Sequence, residues 1–470
     1  MAETERRLDA RLLCAITAAG LMSFSGVVVE TAMNVTFPSL MREFSISTSL
    51  VQWVTTGYLL VSALIIPASA FLKRRFPTRV LFVAAITLFI SGTLLAAWSP
   101  VFLFLVLGRI LQGMATGIAL PMMFNIILEQ VPAKYLGLMI GVGNLITSIA
   151  PAVGPPFGGV IVSYFGWRMI FVFLMPVLVI SAVLGITCIR QAGDLEHTSF
   201  NLPLFVILAA AFTSFIFAIS LAGTYGWLSA PVIVLFCICV PSLVLFYKLS
   251  LGSAKPLLRV EVFHCEPFTL STFGDFLLLF ICLGYGFIIP NYSQIVSGSP
   301  ASVAGLLLLP GCTLGALLAP VGGRLLDKFG AKRPILVGNV AILLSALCFA
   351  LYPGEISSTA FVAIYVLFTF GQGFSQGTIM ANGLRQLPEH LQSDGNAAIT
   401  TMTQLAAGAG TAVVATIIAT AQAADSAHFA HATMIGCQHG FYVIAFCAFM
   451  VLMSSLRVFY LLGKKRAAEF

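Results

Sequence analysis

The sequence predicts an all-α polytopic membrane protein, and three observations carry that expectation. The 470-residue chain is 59% hydrophobic and 9% charged, with a mean hydropathy of +1.02, whereas soluble domains run at roughly 45–50% apolar and about 25% charged. Its apolar runs reach about 20 residues, the length at which a helix crosses a bilayer. Its lysines and arginines gather in alternate connecting segments, the bias that orients membrane helices. The 24 basic and 17 acidic side chains are too few to keep a 50.1 kDa globule in water. The 39 phenylalanines exclude a disordered chain, and the alternating segments of a membrane barrel are absent.

Fourteen spans follow in order, at about 12–35, 50–72, 79–97, 101–127, 137–164, 169–189, 201–222, 229–250, 268–290, 302–323, 334–352, 359–384, 396–421 and 440–462. The first follows the charged start MAETERRLDAR and is too long for a signal h-region, so it is read as retained. The charges between spans support the count. Arg6, Arg7 and Arg11 precede span 1; Lys73, Arg74, Arg75 and Arg79 separate spans 2 and 3; Lys134 separates spans 4 and 5; Arg190 follows span 6. Lys248, Lys255 and Arg259 precede span 9; Arg324, Lys328, Lys332 and Arg333 follow span 10; Arg385 follows span 12; Arg457, Lys464, Lys465 and Arg466 close span 14. With the N-terminus inside, these 21 of the 24 basic residues are cytoplasmic, only Arg42 and Arg168 are outside, and Arg109 lies within span 4. Both termini are then cytoplasmic, and Trp53, Trp98, Trp167 and Trp227 sit at the outer interface. The longest connections, about 251–267 and 422–439, leave no room for a soluble domain.

The net charge of +7 is scattered over short loops and forms no stripe for a phosphate backbone, so no nucleic-acid partner is expected. Ten cysteines lie mostly inside apolar runs without a CxxC, which indicates neither zinc nor a disulfide framework. The six histidines fall in loops or at span ends; His428 and His431, near Asp425 and Cys437, read as a solvated loop rather than a metal cluster. No GxxxxGK[ST] or HExxH occurs, so neither a nucleotide nor another cofactor is expected and the chain does not read as an enzyme.

The segments AFLKRRFPTR (70–79) and GRLLDKFGAKR (323–333) share a small residue, a Leu two positions on and a basic turn. They follow spans 2 and 10, so two extra helices separate the halves. The expected division is 1–190 for a first six-helix bundle, 191–267 for an inserted pair and 268–470 for a second bundle. Related bundles about a central cavity are a transporter architecture. The inserted pair carries no charge in its apolar stretches and reads as a lipid-facing accessory.

These motifs carry a family resemblance. The second loop segment has the pattern GxLxDxxGxxK/R at Gly323, Leu325, Asp327, Gly330 and Arg333, with Lys328 beside the Asp and Lys332 beside the Arg. In the first, Ala70, Arg74 and Pro77 replace the first Gly, the Asp and the second Gly. Span 4 holds RxxQG at Arg109, Gln112 and Gly113, and span 5 holds GPxxGG at Gly154, Pro155, Gly158 and Gly159. The chain resembles the major facilitator superfamily, and within it the fourteen-helix drug:proton antiporters. The resemblance implies a major facilitator fold and proton-coupled efflux of lipophilic, in part cationic, drugs. It also implies that GPxxGG marks antiport. Family exporters usually carry an Asp where Val29 stands here, with Glu30 following.

An ionisable group at mid-membrane is costly, so its presence points to function. Glu30 in span 1, Asp275 in span 9 and Arg109 in span 4 are the candidates for proton coupling. Glu30 and Arg109 lie roughly 9–12 Å from the outer ends of their spans at a rise of about 1.5 Å per residue. Either their pairing changes with proton or cargo, or they form a fixed structural ion pair. Asp275 offers a deeper proton or cation site, or a static hydrogen bond. Asn34, one turn from Glu30, is a candidate either to bind substrate or to make a packing hydrogen bond between helices, and Gln112, a further substrate-binding candidate, is placed to support Arg109. Tyr58, Phe124, Tyr285, Tyr292 and Gln294 are candidates for an aromatic cargo pocket, and Asn382 and Gln386 form a further pair. The glycines and prolines of 149–159 allow a close, bent helix contact that seals the halves. The expected partners are a small-molecule substrate, protons and the lipid bilayer, with the chain acting as a monomer, multi-pass in a bacterial cell membrane. An exporter of a defined metabolite (an amino acid, lipid precursor or siderophore) is the alternative. An embedded enzyme or sensor would need a catalytic constellation or a soluble output domain, neither of which is visible.

Overall fold

A computed structural model describes residues 9–191, 195, 200–253, 256–352 and 354–468. Among these the regular structure is helical, without a strand. In order the helices are α1 (Ala10–Phe44), a single turn α2 (Thr48–Val51), α3 (Trp53–Arg75), α4 (Thr78–Ala97), α5 (Phe102–Gln130), α6 (Ala133–Phe165), α7 (Arg168–Cys188) and α8 (Leu202–Tyr225). They continue as α9 (Ala230–Leu251), α10 (Glu266–Ile295), the short α11 (Ala301–Leu306), α12 (Leu309–Phe329), α13 (Lys332–Ala350), α14 (Ser358–Leu384), α15 (Glu389–Ala424) and α16 (Phe429–Ala468). Thirteen stretches among the described residues are long and apolar enough to cross a membrane, and α6 adds the apolar run Ile149–Phe165. A bilayer offers the backbone no water, so each crossing segment satisfies its own peptide groups as a helix.

Local chemistry sets the ends. Asp9 Oδ1 accepts from the Leu12 amide at 2.7 Å and caps α1. Lys73, Arg74 and Arg75 occupy the last turn of α3, where the helix dipole favours cations. Gly330, at φ 77°, ends α12 in a conformation that costs glycine little. Several helices outrun their predicted spans. Helix α16 begins at Phe429 rather than near 440: the segment HATMIGCQHG contains no proline, and Gln438 donates to the Ala350 carbonyl.

Two groups form. Helix α1 packs against α5, α6 and α7, with α4 between α5 and α7 and α3 on α5; α10 packs against α14, α15 and α16, with α12 and α13 on α14. One crossing recurs in both. A Cβ on Gly92 of α4 would stand 2.6 Å from the Gly108 carbonyl oxygen of α5, and a Cβ on Gly338 of α13 would stand 2.6 Å from the Gly371 oxygen of α14. Paired small residues let these backbones touch where larger ones would hold them apart.

The groups meet through α1 and α10, α3 and α15, and α6 with α11 and α12. Hydrogen bonds gather at one end: Thr48 Oγ1 donates to Gln422 Oε1 at 2.7 Å, Gln294 Nε2 to the Val35 carbonyl at 2.9 Å, and the Ser302 amide to Ser163 Oγ at 2.8 Å. Helices α5 and α14 make their substantial contacts only within their own groups. The molecule is therefore joined at one end and divided between α5 and α14.

The inserted pair departs from the expectation. Helix α9 presents a largely apolar outward surface, as a lipid-facing helix does. Helix α8 instead lies against both α3 and α15. Ser220 Oγ accepts from Gln52 Nε2 at 3.1 Å and Trp53 Nε1 at 3.0 Å, while Thr416 Oγ1 donates to the Ile219 carbonyl at 3.0 Å. Absence of charge did not distinguish a lipid face from a face that bridges the groups through neutral hydrogen bonds.

Candidate functional site

The first group encloses a polar interior in which α1 places Ser23, Gly26 and Glu30 at helical spacing. Gly26 is required by the fit: a Cβ there would meet Thr116 Oγ1 at 2.6 Å and the Tyr58 hydroxyl at 3.1 Å. Arg109 is wholly buried. Its Nε donates to the Val54 carbonyl at 2.8 Å and its Nη1 to Gln112 Oε1 at 2.7 Å. Gln112 Nε2 donates onward to Thr93 Oγ1 at 2.9 Å. The guanidinium lies 4.3 Å from the Tyr58 ring centroid, and the Tyr58 hydroxyl donates to Thr116 Oγ1 at 2.9 Å. Neutral partners thus fix the cation in place, and Nη2 has no hydrogen-bond partner.

Glu30 is 7% exposed. Among the described residues no ion pair joins it to Arg109, although the two charges interact at longer range. The arrangement differs from a fixed pair: an oriented guanidinium keeps one nitrogen free beside an uncommitted carboxyl. Asp275, 2% exposed on α10, has an Oδ1 without a hydrogen-bond partner. Each group therefore holds one buried carboxyl outside any described ion pair.

Asn34 sits where the groups meet. Its Oδ1 accepts from Thr55 Oγ1 at 3.0 Å, and its Nδ2 would stand 3.4 Å from a Cβ on Gly286 of α10. Phe37 and Phe287 meet beside it with ring centroids 5.4 Å apart. Gln294, expected in a pocket, spends its carboxamide on the α1 backbone and clasps α1 to α10.

The GPxxGG segment lies in contact with both groups. A Cβ on Gly154 would overlap Thr31, and one on Gly158 would stand 2.7 Å from the Ala32 carbonyl oxygen, so this face beds against α1. A Cβ on Gly159 would stand 2.5 Å from the Ala301 oxygen, and the Pro155 carbonyl presses on Gly305 of α11. Pro151, Pro155 and Pro156 remove backbone donors along the same helix.

Other candidates are not brought together. Tyr285 is buried in the second group among Phe349, Phe368, Tyr365 and Phe441, and Tyr292 bonds the Ile356 amide through its hydroxyl at 3.1 Å. Neither shares a pocket with Tyr58. Phe124 packs near Gly143 of α6, and Asn382 is buried on α14 with its carbonyl accepting from Gln386. In the loop motif Gly323 faces open space, Lys328 lies over Phe329 at 5.3 Å and Lys332 opens α13; the Asp327 side chain falls outside the described part. In the altered first copy, Lys73 pairs with Glu129 of α5. His428 bonds Asp425 at 3.1 Å, holding that carboxyl below its ordinary range, whereas Cys437 turns into the core, so the four residues do not converge. The polar residues Thr55, Thr93 and Thr116 were missed, as were Gln372 and Gln376 on α14. The i, i+4 spacing of Gln112 with Thr116 and of the two glutamines was the signal available.

The comparisons agree with this architecture. Residues 19–411 match the family model described as Major Facilitator Superfamily. The chain is 30% identical over 448 residues to the uncharacterized MFS-type transporter YcnB of Bacillus subtilis (95% of this chain, 94% of that one). It is 32% identical over 432 residues to the lincomycin resistance protein LmrB of the same organism (90% of each). The multidrug resistance protein B homolog of Mycobacterium tuberculosis is 26% identical over 429 residues (88% of this chain, 77% of that one). Among solved structures, a bacterial homolog of the lysosomal transporter Spinster, inward-facing and unoccupied, superposes with a TM-score of 0.69 at 15% identity, covering 97% of this chain and 98% of that one. A point mutant of the peptide transporter POT also gives 0.69, at 12% identity and 94% coverage of each. With its two groups of helices, its uncommitted buried carboxyls and a family match over most of its length, this multi-pass membrane chain belongs to the major facilitator superfamily of transporters.

Proposed function

We propose that the chain exports lipophilic, in part cationic, compounds across the cell membrane in exchange for protons, working as a monomer. The observation that carries this reading is the buried carboxyl in each group, Glu30 and Asp275, neither in a described ion pair. A carboxyl can hold a proton or balance a cation but not both at once, which is the elementary requirement for exchange. The names of the relatives, resistance to lincomycin and to multiple drugs, favour drugs over a single metabolite as cargo.

In this reading the groups are functional bundles, 1–190 and 268–470, with 191–267 inserted, and both termini are cytoplasmic. The joined end then faces outward and the division between α5 and α14 opens to the cytoplasm. Cargo enters from the inside, its cationic group beside Glu30 with Asn34 close by. Arg109, held by Val54 and Gln112, tunes the Glu30 charge through its free Nη2. Rocking about the midplane breaks the α6–α11 contact and exposes the cargo outside. A proton from the outer medium then takes the carboxyl and the cargo leaves. Asp275 carries a second exchangeable proton on the α10 side. Inside-out vesicles with an imposed pH gradient test this. Tetraphenylphosphonium or lincomycin should dissipate the gradient, and Glu30→Gln or Asp275→Asn should abolish the effect. Gradient loss untouched by both variants would remove these carboxyls from the mechanism. No response to any drug, from folded protein, would favour a dedicated metabolite exporter.

A further inference from the structure

Two carboxamides near the middle of α14 have no part in the mechanism above. Gln372 and Gln376 lie one turn apart, and Gln372 Nε2 donates to Gln376 Oε1 at 3.0 Å. Both are only partly buried, at a depth where an amide facing hydrocarbon would lack partners at considerable cost. Their helix face is the inward one. Further along it, Ile379 lies against Gly274 and Gly383 against Ser271, both on α10. Gln372 lies near Cys282 of α10. Cys282 packs against the Tyr58 and Leu59 cluster and lies within electrostatic range of Glu30. The glutamines therefore border the division between α5 and α14, on the side opposite Glu30.

We propose that Gln372 and Gln376 form a carboxamide subsite that binds an amide or hydroxyl group of the cargo while Glu30 balances its cationic group. Two carboxamides joined head to tail use one donor and one acceptor on each other and leave a carbonyl at one end and an N–H pair at the other. A ligand amide or vicinal diol presents the complementary pattern; an apolar cation presents none. The subsite thus selects lipophilic bases that also carry an amide or hydroxyl, an assignment that rests on the export reading above. Cargo of that kind leaves no buried amide unpaired, whereas a purely apolar cation entering the same space strips water from both glutamines without replacing it.

Equilibrium binding to purified, detergent-solubilised protein tests the subsite without reference to proton flux. The probes are lincomycin, a base bearing an amide and hydroxyls, and tetraphenylphosphonium, a cation without a hydrogen-bonding group. Gln372→Leu and Gln376→Leu should each raise the lincomycin Kd by about tenfold, as loss of a hydrogen bond in a buried site does. The phosphonium Kd should not rise, and should fall where Leu replaces an amide that phosphonium leaves unpaired; retained phosphonium binding also certifies the fold of the variants. Equal weakening of both probes, or no change for either, would overturn the subsite. Phosphonium bound by unmodified protein with no lincomycin binding would overturn it too and leave the exchange reading standing. Proton exchange that fails in vesicles while the selective Kd change persists would overturn the exchange reading alone.

Discussion

Replacing Gly159 with alanine adds one methyl group at the contact between α6 and α11. The new Cβ would lie 2.5 Å from the Ala301 carbonyl oxygen and 3.2 Å from Gly305 Cα, where ordinary contact begins at 3.4 Å. Both obstacles are backbone, so no rotamer change can relieve them. The helices must part by about 0.9 Å, enough to forfeit much of the dispersion between closely packed surfaces. Overpacking of this kind costs about 1–3 kcal/mol, and only the arrangement joined at this end bears the cost. The equilibrium between arrangements should move about 5- to 150-fold toward the one in which α6 and α11 separate. Ala304→Cys, buried in the same contact with Val35 and Ala301, reports that population in a background lacking the ten native cysteines. Its labelling by a membrane-impermeant maleimide should accelerate at least about fivefold with Gly159→Ala. Gly323→Ala, whose Cβ meets nothing within 4 Å, should change nothing. Unaltered Ala304→Cys labelling in folded Gly159→Ala protein would refute the claim that this contact holds the end closed.

Gln112→Leu removes the acceptor of Arg109 Nη1 and the donor to Thr93, and should destabilise the protein by about 1–3 kcal/mol, read as a lower Tm in detergent. Cargo binding should weaken less in Gln112→Glu, which keeps the acceptor. Tyr285 belongs to an aromatic core rather than a cargo pocket, so Tyr285→Ala should lower stability by about 3–5 kcal/mol. Tyr285→Phe, which keeps the ring, should leave both stability and drug Kd nearly unchanged.

Much of the fold was legible because a bilayer permits few solutions. Long apolar runs must be helices, and the basic segments between them support their number. Helix ends were less legible. Beyond the hydrocarbon, apolarity no longer reports on helicity: α1 continues through Pro38 to Phe44 and α16 begins ahead of Gly436 and Gly440, although proline and glycine usually punctuate helices. At the site, Glu30, Arg109 and Asp275 stood out as charges where charge is costly, and the glycines of 154–159 marked a close contact. Sequence did not distinguish a cavity face from a bundle core. Tyr285, Tyr292 and Cys282 are all residues of α10, yet the two tyrosines turn into the second group and the cysteine toward the first. Gln372 and Gln376 drew no attention because neutral amides in a span cost less than charges and commonly bridge helices. Helix α8 misled for the same reason, since Ser220 and Thr416 bridge the groups without a charge.

The central claim is that a buried carboxyl gives up a proton when cargo binds. Lightly buffered, detergent-solubilised protein mixed with tetraphenylphosphonium and a pH-sensitive dye measures that exchange directly. The account predicts proton release on binding by unmodified protein, and markedly less release by Glu30→Gln at saturating phosphonium. Binding that releases no proton, or equal release with and without the Glu30 carboxyl, would contradict it.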